Sequence, residues 1–327
     1  MPLVSQLGAG ALTRRGVLAT ASMWALASCG GGSPRQGRIG VPGGEVAWRR
    51  FGRGGDKTPL LLIHGGPGLG GGYMKGLEAL GDERPVYIWD QLGCGRSERP
   101  KDMSLWTVER YVEELDAVRN ALAPGPVHVL GHSWGTTLAM EWLVTKQPTD
   151  VASVVFSSPA LSTPQWIADM DALIADLSPD AQAAISEARR TGDYGASEFR
   201  AVVDGEWLSS YIVRTLGPIE MATRLAPLAL FDFNLTIYEH MWGPSDFIVT
   251  GELLTFDRTA ELSGLAMPTL FLCGEFDEAT PSTVRAQAEL TPGAEMVVIP
   301  GSGHLTMIDA PDASNAAIRD FLNRADV

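Results

Sequence analysis

Cysteine is scarce in this 327-residue chain, where Cys29, Cys94 and Cys273 are the only three. That is too few for a disulfide framework or a cysteine-rich zinc site. Basic residues are outnumbered, 25 Lys and Arg against 39 Asp and Glu, for a formal net charge of −14. A non-specific nucleic-acid binder needs the opposite sign to displace counterions from phosphate, so that class is excluded. No apolar run reaches the ~18 residues of a spanning helix. No G-x-x-x-x-G-K-[ST] loop occurs, which leaves phosphate cradling of that type unsupported. What remains is ordinary globular composition, 45% hydrophobic and 20% charged. Its length suits one large α/β domain with an insertion, or two domains.

Residues 1–28 contain no acid and one basic pair, Arg14-Arg15, followed by a short Ala-, Ser- and Thr-rich apolar stretch over 16–27. Thr13-Arg14-Arg15-Gly16-Val17-Leu18 resembles a twin-arginine export signal, and Leu26-Ala27-Ser28-Cys29 resembles a bacterial lipobox, whose cysteine is lipidated. The expectation is an exported, periplasm-facing lipoprotein of the bacterial cell envelope, held to the membrane only through Cys29. The alternative is a frayed helix after a misassigned start. Residues 29–37, with Gly30-Gly31-Gly32-Ser33-Pro34, read as a flexible tether. Removing 1–28 leaves 327 − 28 = 299 residues, and losing two Arg and no acid moves the charge from −14 to −16.

Beyond the tether, 38–51 alternates around Gly43-Gly44 and reads as an opening β-hairpin. Short apolar runs follow at 59–63, 86–89, 127–130, 151–156, 269–273 and 296–299. Runs apolar on both faces are what a parallel sheet covered by helices requires. Helical spacing appears at 107–122, 136–146 and 312–324. From 161 to 262 the strand signals stop. Segments 165–177, 180–190, 198–214 and 235–242 are helical in pattern, with breaks at Pro179, Gly192, Pro218 and Pro227. The expected architecture is one mostly parallel α/β sheet domain, 38–160 plus 263–327, interrupted by a helical cap at 161–262.

The chemistry concentrates at strand ends. The run from Val127 leads into Gly131-His132-Ser133-Trp134-Gly135 and then a helical pattern. In that context G-x-S-x-G marks a nucleophilic serine on a sharp strand-to-helix turn, its small neighbours relieving the crowding. Ser133 is the candidate. A serine needs a base, and the base an orienting acid, in the chain order Ser, acid, His. The 269–273 run ends in Glu275-Phe276-Asp277-Glu278, and the 296–299 run ends in Pro300-Gly301-Ser302-Gly303-His304. Asp277 and His304 fill the acid and base positions, with Glu275 and Glu278 as rivals for the acid. His128 lies in a strand, His132 abuts the turn and His240 lies in the cap. Donors for a developing oxyanion come from the Trp134 N–H and from Gly66, in the loop His64-Gly65-Gly66-Pro67-Gly68. Cys94 lacks an elbow and a base of its own, and Cys273 falls in a core strand.

Four segments carry a family resemblance: His64-Gly65-Gly66-Pro67-Gly68, Asp90-Gln91-Leu92-Gly93-Cys94-Gly95-Arg96-Ser97, Gly131-His132-Ser133-Trp134-Gly135, and Gly274-Glu275-Phe276-Asp277-Glu278-Ala279-Thr280-Pro281. Together they resemble the proline iminopeptidase (prolyl aminopeptidase) family of α/β-hydrolase serine peptidases, with related L-amino-acid amidases, over nearly all of the mature chain. The resemblance implies that Glu278 binds the free α-amino group of a substrate. It implies a second carboxylate in Met241-Trp242-Gly243-Pro244-Ser245-Asp246-Phe247, where the family usually carries Glu and this chain has Asp246. One methylene fewer leaves that carboxylate ~1.5 Å short unless the cap sits closer. Read on its own, Asp246 is equally a helix N-cap before 247–254. Tyr238 lines the pocket by resemblance, and is otherwise cap core. The Asp90–Ser97 segment reads as structural.

The expected activity is a cofactor-free, metal-free serine hydrolase removing an N-terminal residue, proline-type preferred, from short peptides or amino-acid amides through an acyl-enzyme. An L-amino-acid amidase, an esterase on the same triad, and a non-catalytic binding protein of this fold stand as alternatives. Oligomeric state is not legible in the sequence.

Overall fold

The computed structural model describes residues 35–52, 55–217 and 233–326. The leader, the lipobox with Cys29, most of the tether, and the breaks at Pro218 and Pro227 lie outside the described residues. Strands β1 (Gln36–Val41) and β2 (Gly44–Phe51) form the expected hairpin, turning at Gly43 with φ +95. β1 begins at Gln36, inside the stretch read as tether, because Gln36 already pairs with Arg49. β3 (Leu60–Ile63), β4 (Val86–Asp90), β5 (Val127–His132), β6 (Val151–Ser157), β7 (Thr269–Gly274) and β8 (Glu295–Ile299) complete one sheet. Its order is β1-β2-β4-β3-β5-β6-β7-β8; β1 and β2 are antiparallel, and β4 through β8 run parallel.

Alternation along the strands supplies two separate cores, as a sheet covered on both faces must. In β3, Leu61 and Ile63 join Tyr111, Leu115, Leu138 and Trp142 of helices α1 (Val108–Leu122) and α2 (Trp134–Lys146) on one face. Leu60 and Leu62 point the other way, into a cluster with Leu77, Ile318, Phe321 and Leu322. That second face is closed by a 3-10 segment, Gly71–Asp82, which carries no strong sequence signal, and by the last helix, Pro311–Arg324.

Between β6 and β7 the described chain is helical: α3 (Thr163–Ala175), α4 (Pro179–Thr191), α5 (Ser197–Ala201), a π-helical stretch Val202–Ile212, and α6 (Leu235–Met241). Ser162 and Ser178 cap α3 and α4 through their side chains, each with Pro in the first turn. The single helix expected over 198–214 is therefore two pieces of different winding. The helix expected after Asp246 does not form; Ser245 bridges Ile248 and the chain turns instead.

Candidate active site

β5 passes directly into α2 through Ser133, whose backbone sits at φ 54, ψ −125. A non-glycine residue there costs about 1–3 kcal/mol and persists only where its surroundings enforce it. Here the Ser133 N–H donates to Ser157 O at 3.0 Å, and Ser133 O accepts from the Thr136 N–H at 2.7 Å. The glycines two before and two after are compulsory. A Cβ on Gly131 would lie 2.4 Å from Gly135 O, and one on Gly135 would lie 2.1 Å from Ile63 O. The strand-to-helix turn inferred from the G-x-S-x-G pattern is present, and α2 starts at once, two residues before its apolar spacing begins.

Asp277 and His304 come from the loops after β7 and β8. His304 Nδ1 is 2.7 Å from Asp277 Oδ1, which also accepts from the Ala279 N–H at 2.8 Å; the other oxygen accepts from the Gly274 N–H at 3.1 Å. Only 1% exposed, Asp277 has both oxygens engaged and so holds the imidazole in one orientation. Its rival Glu275 is exposed and accepts from the Gly301 N–H at 2.8 Å.

Glu278 is buried beside them. One oxygen accepts from Trp207 Nε1 at 3.0 Å, and the other lies 3.7 Å from His304 Nε2. Among the described residues no hydrogen bond joins the Ser133 hydroxyl to His304. Asp246 reaches the site from the 245–248 turn and accepts a short hydrogen bond from the Tyr238 hydroxyl. Ser133, Trp134, Gly66, Tyr238, Asp246 and Glu278 line one small cavity with Ala160, Trp166 and Trp242. The N-cap alternative for Asp246 is thus replaced by a pocket position, and the shorter side chain is held by Tyr238. Of the other histidines, His128 is tied to Ser153 and Asp326. Cys94 and Cys273 are free, buried thiols whose pKa values burial pushes far up.

Electrostatics here are dominated by burial and by clustered acid. Burial opposes the charged form of His304, yet Asp277, Glu278, the Asp277 hydrogen bond and Asp246 raise its pKa to about 9. Glu278 is itself pushed well up by burial and then by the charge of Asp246. Asp246 is pushed up by burial against the opposing Tyr238 hydrogen bond.

Two networks legible only in three dimensions hold the loop containing Gly66. Gln91 donates from its side chain to His64 O at 2.9 Å and accepts from Trp134 Nε1 at 2.9 Å, while its backbone N–H donates to His64 Nε2 at 2.9 Å. Tyr73 OH accepts from the Gly65 N–H at 2.7 Å and meets His132 Nδ1 at 2.8 Å. In the Asp90–Ser97 segment, read from the sequence as structural, Gln91 reaches the neighbourhood of both candidate oxyanion donors. Trp166, Trp207 and Trp242 had no distinguishing signal, since an isolated Trp in a helical segment reads as core.

A family profile for the α/β hydrolase fold matches residues 58–311. A proline iminopeptidase of Heyndrickxia coagulans is 42% identical over 288 residues, 88% of this chain and 98% of that one. One from Levilactobacillus brevis is 36% identical over 267 residues, 81% of this chain and 88% of the relative. The crystal structure of the proline iminopeptidase of Mycobacterium smegmatis superposes with a TM-score of 0.79 at 28% identity, covering 89% of this chain and 98% of that one. With its sheet order, its strained serine turn and these relatives, the chain belongs to the proline iminopeptidase family of α/β hydrolases.

Proposed function

We propose that this serine hydrolase removes an N-terminal residue, proline-type preferred, from short peptides or amino-acid amides. One observation carries the reading: a serine at a strained turn shares a small cavity with two carboxylates, Glu278 and Asp246, beside a buried Asp277–His304 pair. Buried carboxylates demand a cation, and the free amine of a substrate supplies one. In the proposed cycle His304 Nε2 takes the Ser133 hydroxyl proton as Oγ attacks the carbonyl carbon. The Trp134 and Gly66 N–H groups receive the oxyanion. The C–N bond breaks, the proton passes from His304 to the leaving amine, and water then hydrolyses the acyl-enzyme by the same route. Amino-acid amides carry the same free amine beside the same kind of carbonyl, so they are substrates of the same site.

Prolyl-, alanyl- and leucyl-naphthylamides, prolinamide and p-nitrophenyl acetate, assayed side by side, test this. The prolyl compounds are expected to turn over fastest, and Ser133→Ala to abolish all turnover without unfolding the protein. Full activity in Ser133→Ala, or acetate as the sole substrate, overturns the reading.

We further propose export and lipid anchoring at Cys29. The order of basic pair, apolar stretch and cysteine supports it. Labelled palmitate should enter the native chain and not Cys29→Ser; equal labelling of both, or of neither, overturns it.

A further inference from the structure

The carboxylates of the amine subsite also face the base. Asp277 alone orients the base, yet Glu278 Oε1 also stands 3.7 Å from His304 Nε2, the nitrogen that must accept the Ser133 proton. Asp246 acts on the same imidazole from the cap side. Among the described residues, His304 is the one cation within ion-pair distance of Asp277 and Glu278. The remaining groups facing it are His132, at the end of β5 with its ring 4.9 Å away, and the Trp166 ring of α3 at 6.2 Å. His132 is itself kept neutral, its pKa lowered to about 3 by burial and then by the neighbouring His304. Tyr238 stands against Asp246 with Glu278 and Arg200 in range. Three carboxylates thus crowd one imidazole, an arrangement that favours a proton shared between Glu278 and His304.

We propose that the free amine of the substrate unlocks the base. Entering between Glu278 and Asp246, the ammonium pairs with Glu278 in place of His304, and the proton held by the Glu278–His304 pair leaves for solvent. Nε2 is then free to accept the Ser133 proton. A substrate without an amine meets the same triad with its base occupied. Selectivity for a free N-terminus thus acts on the catalytic step as well as on binding. This rests on the aminopeptidase reading and adds to it a coupling between the amine subsite and the base. With His304 near 9, about one molecule in a hundred has a free base at pH 7. Displacing the proton therefore has room for a large effect.

The experiment compares ascending pH limbs in the full-length enzyme. With p-nitrophenyl acetate, which has no amine, the limb should lie near 9. With prolyl-p-nitroanilide the limb of kcat should lie at least one pH unit lower. Glu278→Gln should pull the acetate limb down and raise acetate turnover at pH 7 about tenfold, while raising KM for the prolyl substrate. Calorimetry of prolinamide binding to Ser133→Ala, in two buffers of different ionisation enthalpy, should register about one proton released per amine bound. That measurement does not depend on the folding of the Glu278 variant. Coincident limbs for the two substrates, or binding with no proton release, overturns the coupling. Absence of prolyl turnover in the wild type at every pH instead overturns the aminopeptidase reading, so the two failures are distinct.

Discussion

Tyr73 OH and His132 Nδ1 meet at 2.8 Å behind the nucleophile turn, and the direction of that hydrogen bond is forced. His304 O can only accept, so the neutral ring of His132 must leave Nδ1 as an acceptor, and the Tyr73 hydroxyl, which accepts from the Gly65 N–H, donates to it. His132 then carries its hydrogen on Nε2, which donates to His304 O at 3.0 Å; Ser158 Oγ supports the same carbonyl at 3.0 Å. A neutral imidazole in one tautomer thus joins the Gly65–Gly66 loop to the loop of the base. Tyr73 and His132 are positioning residues, acting on the reaction through the loops they join.

Tyr73→Phe breaks this chain at its middle. The Gly65 N–H and His132 Nδ1 lose their partner, at about 2–6 kcal/mol of stability together. His132 is also released to protonate Nδ1, which would turn a lone pair toward His304 O. We expect kcat to fall about tenfold with KM little changed, because the amine subsite is untouched. Nitrogen-resolved NMR of His132 should report Nε2–H in the wild type and a mixture in the variant. An unmixed tautomer in the variant with unchanged kcat would refute the relay.

Gln91→Leu tests the second tie. The replacement keeps the volume roughly but leaves His64 O and Trp134 Nε1 without their partners. Two buried polar groups so orphaned cost about 2–5 kcal/mol together. With both candidate oxyanion donors less fixed, kcat should drop about 10- to 100-fold. Kinetics and urea unfolding on the same preparation measure both, and a stability loss with unaltered kcat would assign Gln91 to folding alone.

Asp246 lines the cavity beside Glu278, and Tyr238 fixes it by a short hydrogen bond. Asp246→Asn should raise KM for prolyl substrates about 10- to 100-fold, the worth of a charge-assisted hydrogen bond to an ammonium. Tyr238→Phe should raise it less, since the charge remains but its favouring partner is lost. A greater effect from Tyr238→Phe than from Asp246→Asn would mean that the tyrosine, and not the acid, contacts the substrate.

The sheet was legible because its strands are short apolar runs with no competing helical spacing, and β3 through β8 fall within a residue or two of those runs. The serine, acid and histidine were legible because each sits at a strand end next to small or turn-forming residues. The Gly71–Asp82 segment was not, since a glycine-rich stretch lacks both periods. The change of winding at Val202 was not either, because eleven residues with so few buried positions do not separate one winding from another. Trp207, Tyr73 and Gln91 escaped for another reason. Their roles lie in contacts 71, 59 and 43 residues away along the chain, and local pattern carries nothing about such distances.

His132 also sets a pH dependence of folding. Its pKa is lowered from 6.5 to about 3, first by burial and then by His304. Between those values the unfolded chain binds a proton that the folded one refuses. The stabilisation is therefore complete above about pH 6.5 and is lost progressively as pH falls toward 3. His132→Asn, which cannot titrate, removes one such proton from the balance. Measured by urea unfolding from pH 4 to 6, the slope of stability against pH should be shallower in the variant by about 1.4 kcal/mol per pH unit. Equal slopes would mean that His132 takes up its proton in the folded state, which would break the hydrogen bond from Tyr73 and with it the tie between the Gly65 loop and His304.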